Sequence, residues 1–195
     1  MLAAALKVEH SDALGNDQRV ANRFIGAGSL GFAAPVAPGI VAGIGLFAQG
    51  GAGNVYKDVR TPFGTRDDLT AQLGFAKRAP AIAWQVTDDL AVAVSVPVAA
   101  IVAKQRIFPN TSVHDPANPA RSFFGLDLRD ARGAGVGIKV GVLWHASPAL
   151  AVGVTWANRI GLTAEHGKAE VNMTSAGLGV VRYASARLEG FALAP

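Results

Sequence analysis

The stretch "VLWHASPALAVGV", residues 142–154, decides the fold. Two apolar runs flank a Ser-Pro turn, and each alternates bulky with small residues. A period of two means strands with two unlike faces, so the segment reads as a β-hairpin. The same arrangement occurs twice more. "FAAPVAPGIVAGIGL" (32–46) and "IAWQVTDDLAVAVSV" (82–96) align without gaps on "VLWHASPALAVGVTW" (142–156), with turns near Pro38, Asp88 and Pro148. Bulky positions such as Ile40, Ile44, Val92, Val94, Val152 and Val154 share one face, while Gly43, Gly45, Ala93, Ser95, Gly153 and Thr155 share the other. Upstream, Val136, Ile138, Val140, Val142 and Trp144 face one way and Gly135, Gly137, Lys139, Gly141 and His145 the other.

Between these hairpins lie stretches that read as long polar loops, about 50–70 and 105–133. Short turns would then fall at one end of an up-and-down sheet and long loops at the other, as in transmembrane β-barrels. Strand runs of this length match the ~9–11 residues that cross a bilayer when tilted. A soluble β-sandwich or lipocalin-like barrel also alternates, but its outward face should be charged. Here the face opposite the oily one carries Gly, Ala, Ser and Thr, with isolated Lys139, Arg159 and Gln85, which suits a crowded barrel interior. Trp84 and Trp144 precede their turns at the height of an interfacial aromatic girdle; Trp156 lies deeper. The expected fold class is all-β: an antiparallel up-and-down transmembrane barrel of outer-membrane type, present as a partial barrel of about 7–8 strands. Residues 1–24 are read as a segment leading into the barrel and 25–195 as the barrel portion.

Composition agrees. Of 195 residues, half are hydrophobic and only 16% charged, while 23 Gly and 10 Pro interrupt most long helices. The 26-residue uncharged stretch from Gly31 to Tyr56 contains two prolines, which argues against a helical span. The chain has no cysteine, hence neither disulfides nor thiolate metal sites. Its net charge of +4 is dispersed, so no nucleic-acid partner is expected. "MLAAALKVEHSD" lacks the basic region and apolar length of a signal peptide.

No motif supports catalysis. "GAGSLG" (26–31) spells G-x-G-x-x-G, but Pro35 and Pro38 deny the helix a dinucleotide site needs, and Asp58 comes too late. "GGAG" (50–53) lacks the Lys-Ser/Thr of a phosphate loop. His10, His114, His145 and His166 show no metal-ligand spacing. The chain is read as a non-enzyme without cofactor or metal.

The hairpins also resemble a known family. "GIGLFAQGGAGNVY" (43–56), "PAIAWQVTDDLAVAVSV" (80–96), "GAGVGIKVGVLWHASPALAVGVTWANRIGL" (133–162) and "LEGFALAP" (188–195) are similar, in order, to segments of the FadL-type outer-membrane transporters of long-chain fatty acids and other hydrophobic compounds. The resemblance implies a large barrel with an N-terminal hatch, residence in a bacterial outer membrane among its lipids, and passive transport of a hydrophobic small molecule. This chain resembles the middle of such a protein, without a recognisable hatch or a terminal aromatic strand. A small structural or adhesive outer-membrane barrel and a soluble β-barrel lipid carrier are the alternatives.

For a fatty-acid conduit, a carboxylate wants a cation or donors and the tail an oily surface. Lys139 and Arg159, with His145 and Gln85, are the candidate lumen ligands; Lys139 and Arg159 should stand at neighbouring heights, toward the extracellular end. By resemblance, the loop around Ile107, Phe108, Phe123, Phe124 and Leu126 is the candidate hydrophobic docking groove.

Overall fold

The computed structural model describes residues 2–5, 7–22 and 24–193; the last two positions of the 188–195 motif lie outside them. Thirteen strands follow one another: β1 (Leu2–Ala5), β2 (Glu9–Ser11), β3 (Asp17–Arg19), β4 (Phe24–Ala37), β5 (Ile40–Arg60), β6 (Arg66–Gln85), β7 (Leu90–Ser95), β8 (Val98–Val113), β9 (Phe123–Val136), β10 (Lys139–Ser147), β11 (Leu150–Ala157), β12 (Ile160–Met173) and β13 (Gly179–Leu193).

Several of these are halves of one long strand. β7 and β8 keep a single pairing frame against β9 and β10, with Ser95 opposite Lys139 and Val98 opposite Val136. The interruption falls at Pro97, which has no N–H to donate; its carbonyl still accepts from the Gly137 N–H at 2.9 Å. Counted as continuous spans, β4, β5, β6, β7–β8, β9–β10, β11–β12 and β13 run up and down as neighbours, with β1 an edge strand on β4. This is the expected antiparallel partial barrel of seven or eight strands. β1 also puts residues 2–5 into the sheet, ahead of the boundary drawn at residue 25, and residues 7–22 form the connection between β1 and β4.

The two long loops are not loops. β5 runs to Arg60 and β6 begins at Arg66; β8 runs to Val113 and β9 begins at Phe123. Most of 50–70 and 105–133 is therefore strand, and only 61–65 and 114–122 connect. Four non-glycine residues with positive φ explain the misreading: Asp58, Phe108, Asp130 and His166. Each sits beside a shift in pairing register, where the extra residues, one at Asp58, Asp130 and His166 and three at Phe108, swap the faces. A strict period of two cannot be followed across them.

In the short-turn half the period holds. Ile40, Trp84, Val92, Val142 and Val154 lie in one cross-strand row, and Ala42, Ile82, Val94, Val140 and Trp156 in the next. Their face is exposed: Trp84 at 51%, Trp144 at 50% and Val154 at 67%. A contiguous oily face across five strands has the pattern of a lipid-facing belt. Along β6 the belt runs from Trp84 to Gly74, about ten residues or roughly 33 Å of strand, the length that a tilted span requires. Above that row the outward face turns charged: Val102 gives way to Lys104 and Arg106 on β8, and Ala134 to Arg132 on β9. Val96, near mid-belt, reports on this placement. Val96→Arg should cost about 2–4 kcal/mol in urea unfolding from lipid vesicles, against at most roughly 0.5 kcal/mol for an exposed site in water. A near-neutral result in vesicles would remove lipid from this face.

The opposite face is the interior. Ala99, Ile101, Ala103, Leu128, Ala131, Ile160, Leu162 and Ala164 form its buried cluster, at 5% exposure or less. It closes because the first half of β12 leaves the wall. β12 pairs with β9 only from Glu165 to Asn172; Ile160–Ala164 instead lie across the inner side of β9, over Gly133, Gly135 and Gly137. A Cβ on Gly133 would come within 1.7 Å of the Thr163 carbonyl oxygen, and one on Gly135 within 2.2 Å of the Gly161 oxygen. The ladder between β10 and β11 ends at Asn158, whose N–H donates to the Ile138 carbonyl (3.1 Å) and whose Oδ1 accepts from the Ile138 N–H (2.6 Å). Beyond it the wall carries an unpaired seam alongside 133–137.

Candidate functional site: the interior of the wall

The inward end of β13 follows β12, with Leu162 opposite Phe191 and Ala164 opposite Leu188. Leu188 and Phe191 thereby face the inner side of β5, β6 and β8 across a cavity of about 300 Å³. Its apolar walls include Leu73 and Ala103, and Asn54 and Gln105 supply polar groups. A mostly apolar hollow with few polar groups is the usual form of a small-molecule site.

Two rows toward the short-turn end stands a cation that periodicity could have found and we did not single out. Lys77 lies opposite Phe47 on β5 and Ala99 on β8, and its ammonium sits 5.6 Å from the centre of the Phe47 ring. Ala99 is fully buried in the interior cluster, so this row faces inward. Counting back by twos from Gln85 reaches Lys77 on the same face. Such a cation over an aromatic ring keeps its charge while shedding water, which leaves it available to an anionic headgroup.

The four expected lumen residues do not form one site. Lys139 lies opposite Ser95 and Ala157, two residues before Arg159, so that pair is close in register. Neither takes part in an ion pair among the described residues. Within the span 123–147, Lys139 stands nearer Ser147 than Phe123, because the strand extends much farther outward than the sequence reading supposed. Gln85 and His145 lie at the short turns. Gln85 donates from Nε2 to the Asp88 carbonyl at 3.3 Å, and the His145 N–H donates to the Asp89 carbonyl at 2.8 Å. His145 is six residues from Lys139 along β10, about 20 Å.

Four of the five expected groove residues fall into two pairs. Ile107 and Leu126 are register partners, and Leu126 packs on the interior cluster. The Phe108 and Phe123 rings are 5.9 Å apart, and Phe123 stacks on Phe63 at 4.7 Å. Phe108 also packs against Val20, Tyr56 and Val59, tying residues 7–22 to the outer end of the wall. Phe124 lies apart, stacked with His114 at 6.1 Å. The 7–22 connection is itself fixed. Asn16 donates from Nδ2 to the Arg60 carbonyl and accepts the Arg60 N–H, and Asn22 likewise brackets Gly53 and Val55. The Asn16 side-chain amide, helped by backbone N–H groups of Asn16 and Leu14, holds the Asp12 carboxyl down to about 2.

No protein-family model matches the chain, and no curated protein sequence does. Two solved structures are similar to it. One is the TodX deltaS2S3 mutant, described as a monoaromatic hydrocarbon channel, at 13% identity and a TM-score of 0.68. The match covers 98% of this chain and 53% of that one. The other is the Pseudomonas putida toluene transporter TodX, at 13% identity and a TM-score of 0.62, covering 87% and 50%. At this identity the likeness is one of fold, and it bears out the FadL/TodX-type β-barrel fold expected from the hairpins. The chain spans about half the length of the structures it matches.

Proposed function

We propose that this chain forms part of the wall of an outer-membrane channel that passes hydrophobic small molecules by passive transport, long-chain fatty acids or other hydrophobic compounds among them. The observation that carries this reading is the apolar hollow between Leu188–Phe191 and Leu73–Ala103, inside a wall whose other face is a lipid belt. A structural barrel has no need to keep such a hollow open. The pairs of Ile107 with Leu126 and Phe108 with Phe123 at the outer end offer first contact, with Phe124 beside them. The seam beside Gly133–Gly137 interrupts the hydrogen-bonded wall, and a shift of Ile160–Ala164 off these glycines would give an apolar ligand a sideways path toward the membrane.

Ligand class divides on the cations. A hydrocarbon needs only the oily path, whereas a fatty acid gains from Lys77, or from Lys139 with Arg159, meeting its carboxylate. The test is uptake of toluene and of oleate into liposomes carrying the intact protein. Flux of neither above empty liposomes rejects the channel. If fatty acids are carried, Lys77→Met should lower oleate uptake about tenfold, the loss of one charge-assisted contact, and leave toluene uptake unchanged. The same split for Lys139→Ala with Arg159→Ala, and none for Lys77→Met, would move the headgroup site to the seam.

A further inference from the structure

The outward face carries a cationic groove that transport does not use. On the lipid side of β5, β6 and β8, Gly51, Gly53 and Gly74 leave a hollow of about 520 Å³ beside Lys104 and Arg129. Below it a second hollow of about 560 Å³ runs past Ala48 and Ala76 to Arg78. Register puts these residues outside. Arg78 lies opposite Leu46 and Val98, and Lys104 opposite Gln72, in the alternate set to Ala99, Ile101 and Ala103, which are buried inside.

Height supplies the second observation. Trp84 marks the short-turn edge of the belt, and the row of Gly74, Val102 and Arg132 lies about ten residues higher, one bilayer crossing. Lys104 and Arg129 therefore stand at the far headgroup level, while Arg78 is exposed within the belt, about four residues lower. An arginine facing lipid there is costly unless its guanidinium reaches up to an anion. Acids account for only part of the charge. Arg129 pairs with Asp127 at 3.0 Å and Glu170 at 3.2 Å, and Asp130 on the groove's edge pairs with Arg132 at 3.7 Å. Arg78, Lys104 and Lys168, the register partner of Arg129, have no ion-pair partner among the described residues.

We propose that this groove seats a phosphorylated lipid of the outer leaflet, with an acyl chain along the small-residue hollow toward Arg78 and phosphate held between Lys104 and Lys168 at headgroup level. Length and charge both fit this occupant: the hollow descends from headgroup level into the belt, and its free groups are cations. The proposal rests on the membrane placement of the wall and is independent of what the channel carries.

The test is native mass spectrometry of the intact protein in neutral detergent with diphosphoryl lipid A, phosphatidylcholine or inorganic phosphate added. The unaltered protein should retain lipid A in preference to phosphatidylcholine. Lys104→Gln with Lys168→Gln should lower lipid A retention about five- to tenfold, as expected for two lost charge-assisted contacts. Lys104→Arg should preserve it, and so should Lys57→Gln, a charge removed near the outer end of β5. Arg129 stays unaltered because it holds Asp127. Retention unchanged in the double variant, or lost equally in Lys57→Gln, overturns the site. Displacement by an equal concentration of inorganic phosphate identifies a free-anion site and overturns the lipid. A double variant that no longer folds, judged by heat-modifiable migration, is replaced by Lys104→Gln alone under the same criteria.

Discussion

Gly133→Val should destabilise the barrel by about 3 kcal/mol or more, the upper end of overpacking costs, because the clash is with backbone. The added Cβ would meet the Thr163 carbonyl oxygen at 1.7 Å and its carbon at 2.6 Å. No rotamer relieves that contact. β12 must lift off the inner face, which uncovers Ile160, Leu162 and Ala164, all buried at present. Gly161→Val is the matched control, since nothing lies within 4 Å of its Cβ. Urea unfolding in lipid vesicles should separate the two variants clearly. Equal midpoints would mean that β12 does not lie across Gly133.

Arg106→Ala should cost about 3 kcal/mol, the usual penalty for stranding one partner of a buried ion pair. Arg106 bridges Asp68 (2.9 Å) and Asp127 (3.2 Å), and the Asp127 side chain is only 6% exposed. Without Arg106, Asp127 keeps Arg129 alone, and its Oδ1 already lacks a hydrogen-bond partner. The diagnostic is a cycle: adding Asp127→Asn to Arg106→Ala should restore part of the loss, because the stranded charge is gone. Additive losses in the cycle would show that the pair is uncoupled. The same network explains why the outer half of the wall looked like loop. Arg106, Asp127, Glu170 and Arg182 occupy one cross-strand row, where ion pairs stand in place of oily side chains.

The short-turn half was legible because its outward residues are mostly apolar and keep an unbroken period of two from strand to strand. Trp84, Trp144 and the hairpin at 142–154 stand where their spacing put them. The outer half answers to neighbouring strands instead. Charges at Asp68, Arg106 and Asp127 look solvated until their partners are known, and the bulges at Asp58, Phe108, Asp130 and His166 reverse the face count. Lys77 was within reach, being an even number of residues from Gln85 on an unbroken strand. Gly135 and Gly137 read as small lumen residues. That they make room for a neighbouring backbone is a fact of register, which alternation along one strand does not contain.

The seam beside those glycines has the character of an expansion joint. On one side of it Lys139 opposes Ala157; on the other Arg132 opposes Glu165. The two pairing frames differ by one residue, so the ladder cannot simply run shut. Closing it needs either one more bulge or a slip that would turn Ile160, Leu162 and Ala164 from the interior to the outside. The joint therefore stays open by arithmetic, and the circumference of the wall can give at this line while every other line of hydrogen bonds holds.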